Sequence, residues 1–487
     1  MTPTLILTVV AIYSLLLFAV VWYTSRNADN ESYFIGNKSS RWYIVAYGMI
    51  GASLSGVTFM SVPGAVATTQ FSYMQVVFGY MVGYSVIALI LMPVYYSMNL
   101  TSIYTYLEER FGNVSYKTGS FFFILSRTIG ASFRLYIVIN VLQTFVFDAW
   151  GIPFIVTVAT FMALILLYTY KGGVKTIVWT DTLQTTFMLV TVVVSVIMIS
   201  GQLGISLSDL FGEVMKSDLS AIYVDDVLSP NYFWKNFLGG AFIAIAMTGL
   251  DQEMMQKNLS CKNIGEAKKN MFTFASVLLV VNFLFLILGA VLVFYANKNN
   301  MAIDPKHTDN LFPDIALNHL GTITGLMFIV GLISAAYPSA DGALTALTTA
   351  FCFDFLRLNK KENLSQESLK KTRIIVHISF AVILLLMIVL FRVINNDAVI
   401  RNLFKVAGYT YGPLLGLFAF GFLTKWKIYD KWVPLVCVIS PAIAYLIGEC
   451  APLWFNGYKF GFEMIIVNGL LTFIGLMILV RSEKALK

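Results

Sequence analysis

Charged side chains occur deep inside apolar runs of this chain. Arg127 and Arg134 lie in the run 118–147, Asp181 near the start of 178–200, Asp251 in TGLDQEMMQK (248–257), and Asp341 in SAAYPSADGALTALTT (334–349). An ionised group at membrane depth is costly and normally faces a partner or a water-filled cavity, so each marks a candidate site. The arginines are seven residues apart, two helical turns, and share a face. A guanidinium grips a carboxylate through two parallel hydrogen bonds, which makes Arg134, the deeper of the two, a candidate anion receptor. Arg127, nearer the end of its run, reads equally as a side chain snorkelling to the interface. Asp341 shares a helix face with Pro338, Thr345 and Thr348. A carboxylate, hydroxyls and proline-released carbonyls suit a hard cation; a structural hydrogen bond to a neighbouring helix is the other reading of Asp341. Asp181 is read as a site or a helix N-cap. Asp251 is read as a site or as the local partner of Lys257.

These side chains need interrupted helices to position them, and one stretch supplies the pattern. In 42–67 the apolar run is broken by Gly48, Gly51, Ser53, Ser55, Gly56, Thr58, Ser61, Pro63 and Gly64. Freed backbone at membrane depth is tolerated where it lines a cavity or packs on protein. Broken helices are where secondary transporters bind ions and substrate. Close helix packing on small residues explains the same composition.

The whole chain has the composition of an integral membrane protein. Its 487 residues are 58% hydrophobic and 12% charged, with a mean hydropathy of +0.77, against roughly 25% charged in soluble domains. A window of about 19 residues gives about thirteen apolar spans: 3–24, 43–67, 75–97, 118–147, 153–170, 178–200, 233–256, 271–296, 322–354, 373–392, 402–423, 433–449 and 460–480. Met1–Tyr23 lacks a basic leader and is long enough to span, so it is read as a retained helix. With the N-terminus outside, the outer segments hold only Lys216, Lys235, Lys298, Lys306, Arg392, Arg401 and Lys459. Nearly all other basic residues then face the cytoplasm, as the positive-inside rule requires. The net charge of +7 is thus assigned to an anionic leaflet rather than nucleic acid. Cys261, Cys352, Cys437 and Cys450 have no metal or redox spacing. His307, His319 and His377 form no HExxH motif or nucleophile pair, so an enzyme is not expected. No charged rings or carbonyl filter suggest a channel.

Five blocks then carry a resemblance: TFMSVP (58–63), YLEERF (106–111), YKGGVKTIVWTDTLQ (170–184), DQEMMQK (251–257) and GYTYGPLLGLFAFG (408–421). In this order they resemble the sodium–solute symporter family, closer to its anion-carrying branches. The resemblance implies an all-α integral membrane fold, a LeuT-type five-plus-five inverted repeat with broken helices. The first repeat is 43–200 and the second 233–423, with 3–24 and 433–480 peripheral. Spans two and seven are the broken pair. It further implies one or two sodium ions. The shared site takes carbonyls of Gly51, Leu54 and Ala335 and the hydroxyl of Ser339, with Pro338 where relatives carry a serine. A second site takes Asp181, with Asp341 and Gly342 replacing serines. An empty two-carboxylate site takes up a proton, so proton coupling stands beside sodium coupling. Resemblance to the sialic-acid branch implies a substrate site of Ser53, Ser55, Thr58 and Arg134. Gly79 stands at a substrate glutamine position, and Asp251 is added as a substrate candidate.

The function expected is sodium-coupled symport of a small organic anion by alternating access, with a neutral sugar or polyol as the alternative substrate. The expected setting is a bacterial inner membrane, N-terminus outside and C-terminus cytoplasmic, as a monomer or weak dimer.

Overall fold

A computed structural model describes residues 3–24, 40–360, 365–394 and 399–481, without the side chains of 3, 170–175, 359 and 399–402. Lys171 and Lys175 of the YKGG block therefore fall outside the described side chains, as Arg26, Lys38, Lys361, Lys484 and Lys487 fall outside the described residues. Within these limits the chain is helical, and each expected span is found. Eight helices are long and apolar enough to cross a membrane: Thr4–Thr24, Tyr73–Ser97, Asn113–Trp150, Thr176–Leu203, Ile264–Lys298, Gly321–Phe355, Gln366–Ile394 and Asp430–Trp454. Three bent pairs supply the second, seventh and eleventh spans, and the shorter Phe154–Thr169 and Met464–Ile478 supply the fifth and thirteenth. Helical backbone runs through Phe154–Leu203, which carries both the fifth and the sixth span.

The second span bends by 60° between Trp42–Ser53 and Gly56–Thr69. Leu54 (φ −82°, ψ 77°) and Ser55 (φ −75°, ψ 178°) leave the helical region there. The seventh bends by 65° between Phe233–Gly249 and Gln252–Leu259. A π-helical turn, Ile245–Gly249, precedes that break, and Asp251 caps the next helix by accepting from the Glu253 and Met254 amides at 2.9 and 3.2 Å. Both breaks are those expected. The eleventh span adds a third, 43° between Leu403–Thr410 and Gly412–Leu423. Pro413 in the first turn after it has no amide to give the preceding turn, which ends the first helix.

Close backbone approach builds the frame around the breaks. The third span lies on the first half of the seventh, and a Cβ added at Gly79 would stand 2.0 Å from the Phe237 carbonyl oxygen and 2.8 Å from the Ala241 amide nitrogen. Both neighbours are main chain, so nothing there can rotate away. Gly79→Leu is expected to push these helices apart and to cost about 1–3 kcal/mol or more, read as a lower thermal midpoint of the purified protein; an unchanged midpoint would contradict this packing. Cys261, Cys352 and Cys437 are buried free thiols, as their scattered positions suggested.

Candidate functional site

The two principal breaks and the long fourth span line a partly open cavity. Ser53, Ser55 and Thr58 enter it from the second span, Tyr73, Tyr80 and Tyr84 from the third, Arg127 and Arg134 from the fourth, Thr248 from the seventh and Asn282 from the eighth. Gly56, the first residue after the break, has its Cβ position 3.3 Å from the Arg134 carbonyl oxygen. Its missing side chain lets the second span settle on the backbone that carries Arg134. Tyr73 and Tyr80 join hydroxyl to hydroxyl at 3.2 Å. Arg134 has no ion-pair partner among the described residues, and its Nε is buried without a hydrogen bond. A cation held unpaired among hydroxyls in a cavity is arranged to receive an anion.

Arg127 forms the other end of the arginine pair and is occupied. It is 3% exposed, contacts Glu253 Oε2 and lies 3.6 Å from Asp251 Oδ2. The snorkelling reading of Arg127 is therefore corrected: its charge is met by the break of the seventh span. Tyr411, at the bend of the eleventh, donates to Asp251 Oδ2 at 3.1 Å. Lys257 donates to Glu253 Oε1 at 3.1 Å and to Asp181 Oδ2 at 2.7 Å. The expected Asp251–Lys257 pair is replaced by this longer chain, because the cap geometry turns Asp251 toward its own amides and Arg127. Asp181 is fully buried within a helical run, so it is not an N-cap. An unbroken line of alternating charges thus links Arg127, Glu253, Lys257 and Asp181 across the fourth, seventh and sixth spans. Lys405, at the eleventh span's start, makes a half-exposed 3.8 Å pair with Glu449.

Gly342 explains the space for this chain. A Cβ there would stand 2.1 Å from Glu253 Oε1 and 2.4 Å from its Cδ, so the carboxylate occupies the notch that a side chain at 342 would fill. The adjacent Asp341 is fully buried. It accepts from the Tyr168 hydroxyl at 3.0 Å and from the Gly342 amide at 2.6 Å. Asp181 Oδ1 has no hydrogen-bond partner. The cation in contact with Asp181 here is the Lys257 ammonium, a tethered one.

The residues expected at the shared cation site gather at the second-span break and the ninth span, which pack on each other. Among the described residues no backbone amide bonds the carbonyls of Gly51 or Leu54 at this break. Gly51 presses on the sixth span, its Cβ position 2.2 Å from Thr185 Oγ1. Ala335 and Ser339 are fully buried, and Ser339 Oγ lacks a partner. Pro338 interrupts the ladder at Ser334, whose carbonyl loses its helical donor four residues on. Among the described residues no group of three or more His, Cys, Asp or Glu is placed to hold a metal. Of the six substrate candidates, Ser53, Ser55, Thr58 and Arg134 line the cavity. Gly79 packs helix on helix, and Asp251 is not among the lining residues. The third-span tyrosines were missed, although their spacing of seven and four puts them on one helical face. Glu253 and Tyr411 were missed as well, and a second acid two residues after Asp251 was the available signal.

The sequence profile of the Sodium:solute symporter family matches residues 33–427. The chain belongs to that family. It is a sodium-coupled symporter, not an enzyme, and an integral membrane protein. Similar proteins include a sodium/sialic acid symporter of Proteus mirabilis, 22% identical with 94% of this chain and 92% of that protein covered. Another is the human sodium-coupled monocarboxylate transporter 1, 24% identical over 87% of this chain and 68% of that protein. Among solved structures, a substrate-bound, outward-open sodium-coupled sialic acid symporter matches with a TM-score of 0.82 at 20% identity, covering 97% of each chain. Mhp1, a nucleobase-cation-symport-1 family transporter, in a closed conformation, matches with a TM-score of 0.53 at 15% identity, covering 92% of this chain and 93% of that one. These neighbours give the symporter its LeuT-type fold.

Proposed function

We propose that the symporter imports a small organic acid bearing one carboxylate and several hydroxyls, in the class of sialic acid. The observation that carries this is Arg134, unpaired at the cavity wall among Ser53, Ser55, Thr58 and the tyrosine hydroxyls. The guanidinium takes the carboxylate in two parallel bonds, and the hydroxyls take the polar body of the solute. The relatives that carry sialic acid and monocarboxylates support the acid class. Repeats 43–200 and 233–423 would rock about the two broken helices, with the N-terminus outside and the basic loops in a bacterial cytoplasm.

One sodium ion sits between the Gly51 and Leu54 carbonyls and the ninth span, where Ala335 and Ser339 complete an all-oxygen set. Moving inward across roughly 100 mV, that ion gains about 2.3 kcal/mol before any concentration term. Asp341 and Asp181 stand beside it, with Lys257 as the standing counter-charge. Ser339→Ala removes one ligand from the set and is expected to weaken sodium affinity about tenfold, roughly 1.4 kcal/mol. The readout is the sodium dependence of substrate binding to purified protein. An unchanged sodium dependence would remove Ser339 from the ligand set. The acid reading is tested by binding of sialic acid, lactate and a neutral hexose to the purified chain in sodium: binding of an acid supports it, and binding of the hexose alone would overturn it.

A further inference from the structure

We propose that Arg127 is a second, inner station for the substrate's carboxylate, which reaches it by displacing Glu253. This rests on the reading of Arg134 as the outer receptor. The two arginines share one helix face and one cavity wall, about 10 Å apart along the helix axis at 1.5 Å per residue. Arg127 is nine-tenths buried or more, yet its Nε has no hydrogen-bond partner. Its guanidinium therefore keeps an unused donor while its other nitrogens meet the acids of the seventh span.

The acids that would give up Arg127 each keep other partners. Glu253 retains Lys257 at 3.1 Å, and Lys257 retains Asp181 at 2.7 Å. Asp251 retains the Tyr411 hydroxyl and two amides. Each acid therefore keeps a hydrogen-bond partner when a substrate anion replaces Glu253 at Arg127, and Lys257 remains the one cation shared by Glu253 and Asp181. The displaced contact ties the fourth span to the second half of the seventh. Arrival of the anion at the inner station thus loosens the tie between the fourth and seventh spans. Substrate binding and gate opening become one event, through different affinities for the two states.

The test uses the double variant R127Q/E253Q in the full-length chain, which leaves an amide facing an amide while Asp251 keeps the Tyr411 hydroxyl and two backbone amides. Sialic acid and lactate are the probes, in sodium. The better-bound acid is expected to keep its Kd within about threefold of the parent, because Arg134 is intact, while its uptake into proteoliposomes falls at least tenfold. Uptake at the parent rate would show that Arg127 serves Glu253 alone and would overturn the inner station. If that variant does not fold, Glu253→Gln by itself decides. With Arg127 retained and less firmly held, counterflow exchange is expected to rise at least threefold, and unchanged or slower exchange with intact binding would overturn the proposal. A parent that binds neither acid refutes Arg134 as receptor, and the inner station with it, an outcome distinct from normal uptake by the double variant.

Discussion

Arg134→Gln is expected to weaken acid binding about a hundredfold while leaving the fold intact. Two charge-assisted hydrogen bonds disappear together, and about 3 kcal/mol corresponds to roughly two decades in Kd. Arg134→Lys keeps the charge but loses the planar fork, and is expected to fall between the two. Stability should move the other way. Arg134 has no ion-pair partner among the described residues, so its removal leaves no stranded acid there, and the ligand-free variant should melt at or above the parent temperature. Calorimetric titration in sodium, with thermal unfolding alongside, reads both quantities. A Kd unchanged from the parent would mean that the cavity recognises the hydroxylated body of its solute and not an anion.

Lys257→Gln is expected to have the largest effect on stability. Lys257 is 2% exposed and joins Glu253 on its own helix to Asp181 on the sixth span. Removing one partner of a buried pair costs about 3–5 kcal/mol, since the remaining charge stays desolvated. A thermal midpoint lower by on the order of 10 °C follows. The informative companion is Lys257→Gln with Asp181→Asn, which removes both ends of the 2.7 Å contact and should recover at least half of the loss. Glu253 keeps Arg127 in both proteins. Equal midpoints for the parent and the single variant would show that water, not Lys257, compensates Asp181.

Much of this arrangement could be read from residue order, and the parts that could not have physical reasons. Spans and breaks were legible because apolar length and small-residue interruptions act locally. The wall residue Arg134 was legible because a deep arginine has few structural uses, while Ser53, Ser55 and Thr58 came from the resemblance to the sialic-acid branch. Tyr73, Tyr80 and Tyr84 were not, since an aromatic stripe at helical spacing is also what a packed core looks like. The partner of Lys257 was hidden for a different reason. Asp251 lies six positions away along the chain and is not paired with it, while Asp181, 76 positions away, is in contact beside Glu253 of the same helix. Local spacing cannot rank a tertiary neighbour above a sequence neighbour. Gly79 carries the same lesson in reverse: its position matched a ligand residue, while its missing side chain lets two helices meet. The eleventh-span bend was visible as the Gly-Pro pair at 412–413 and was read only as a family signature.

The central claim is that an acid and sodium enter together through this cavity. The direct measurement is substrate-stimulated sodium-22 uptake into proteoliposomes, with sialic acid, lactate and a neutral hexose tested in turn against the parent and Arg134→Gln. The account predicts that one acid drives sodium entry into parent vesicles, that the hexose does not, and that Arg134→Gln loses the stimulation. Sodium entry driven by the hexose, and equally strong in both proteins, would contradict it.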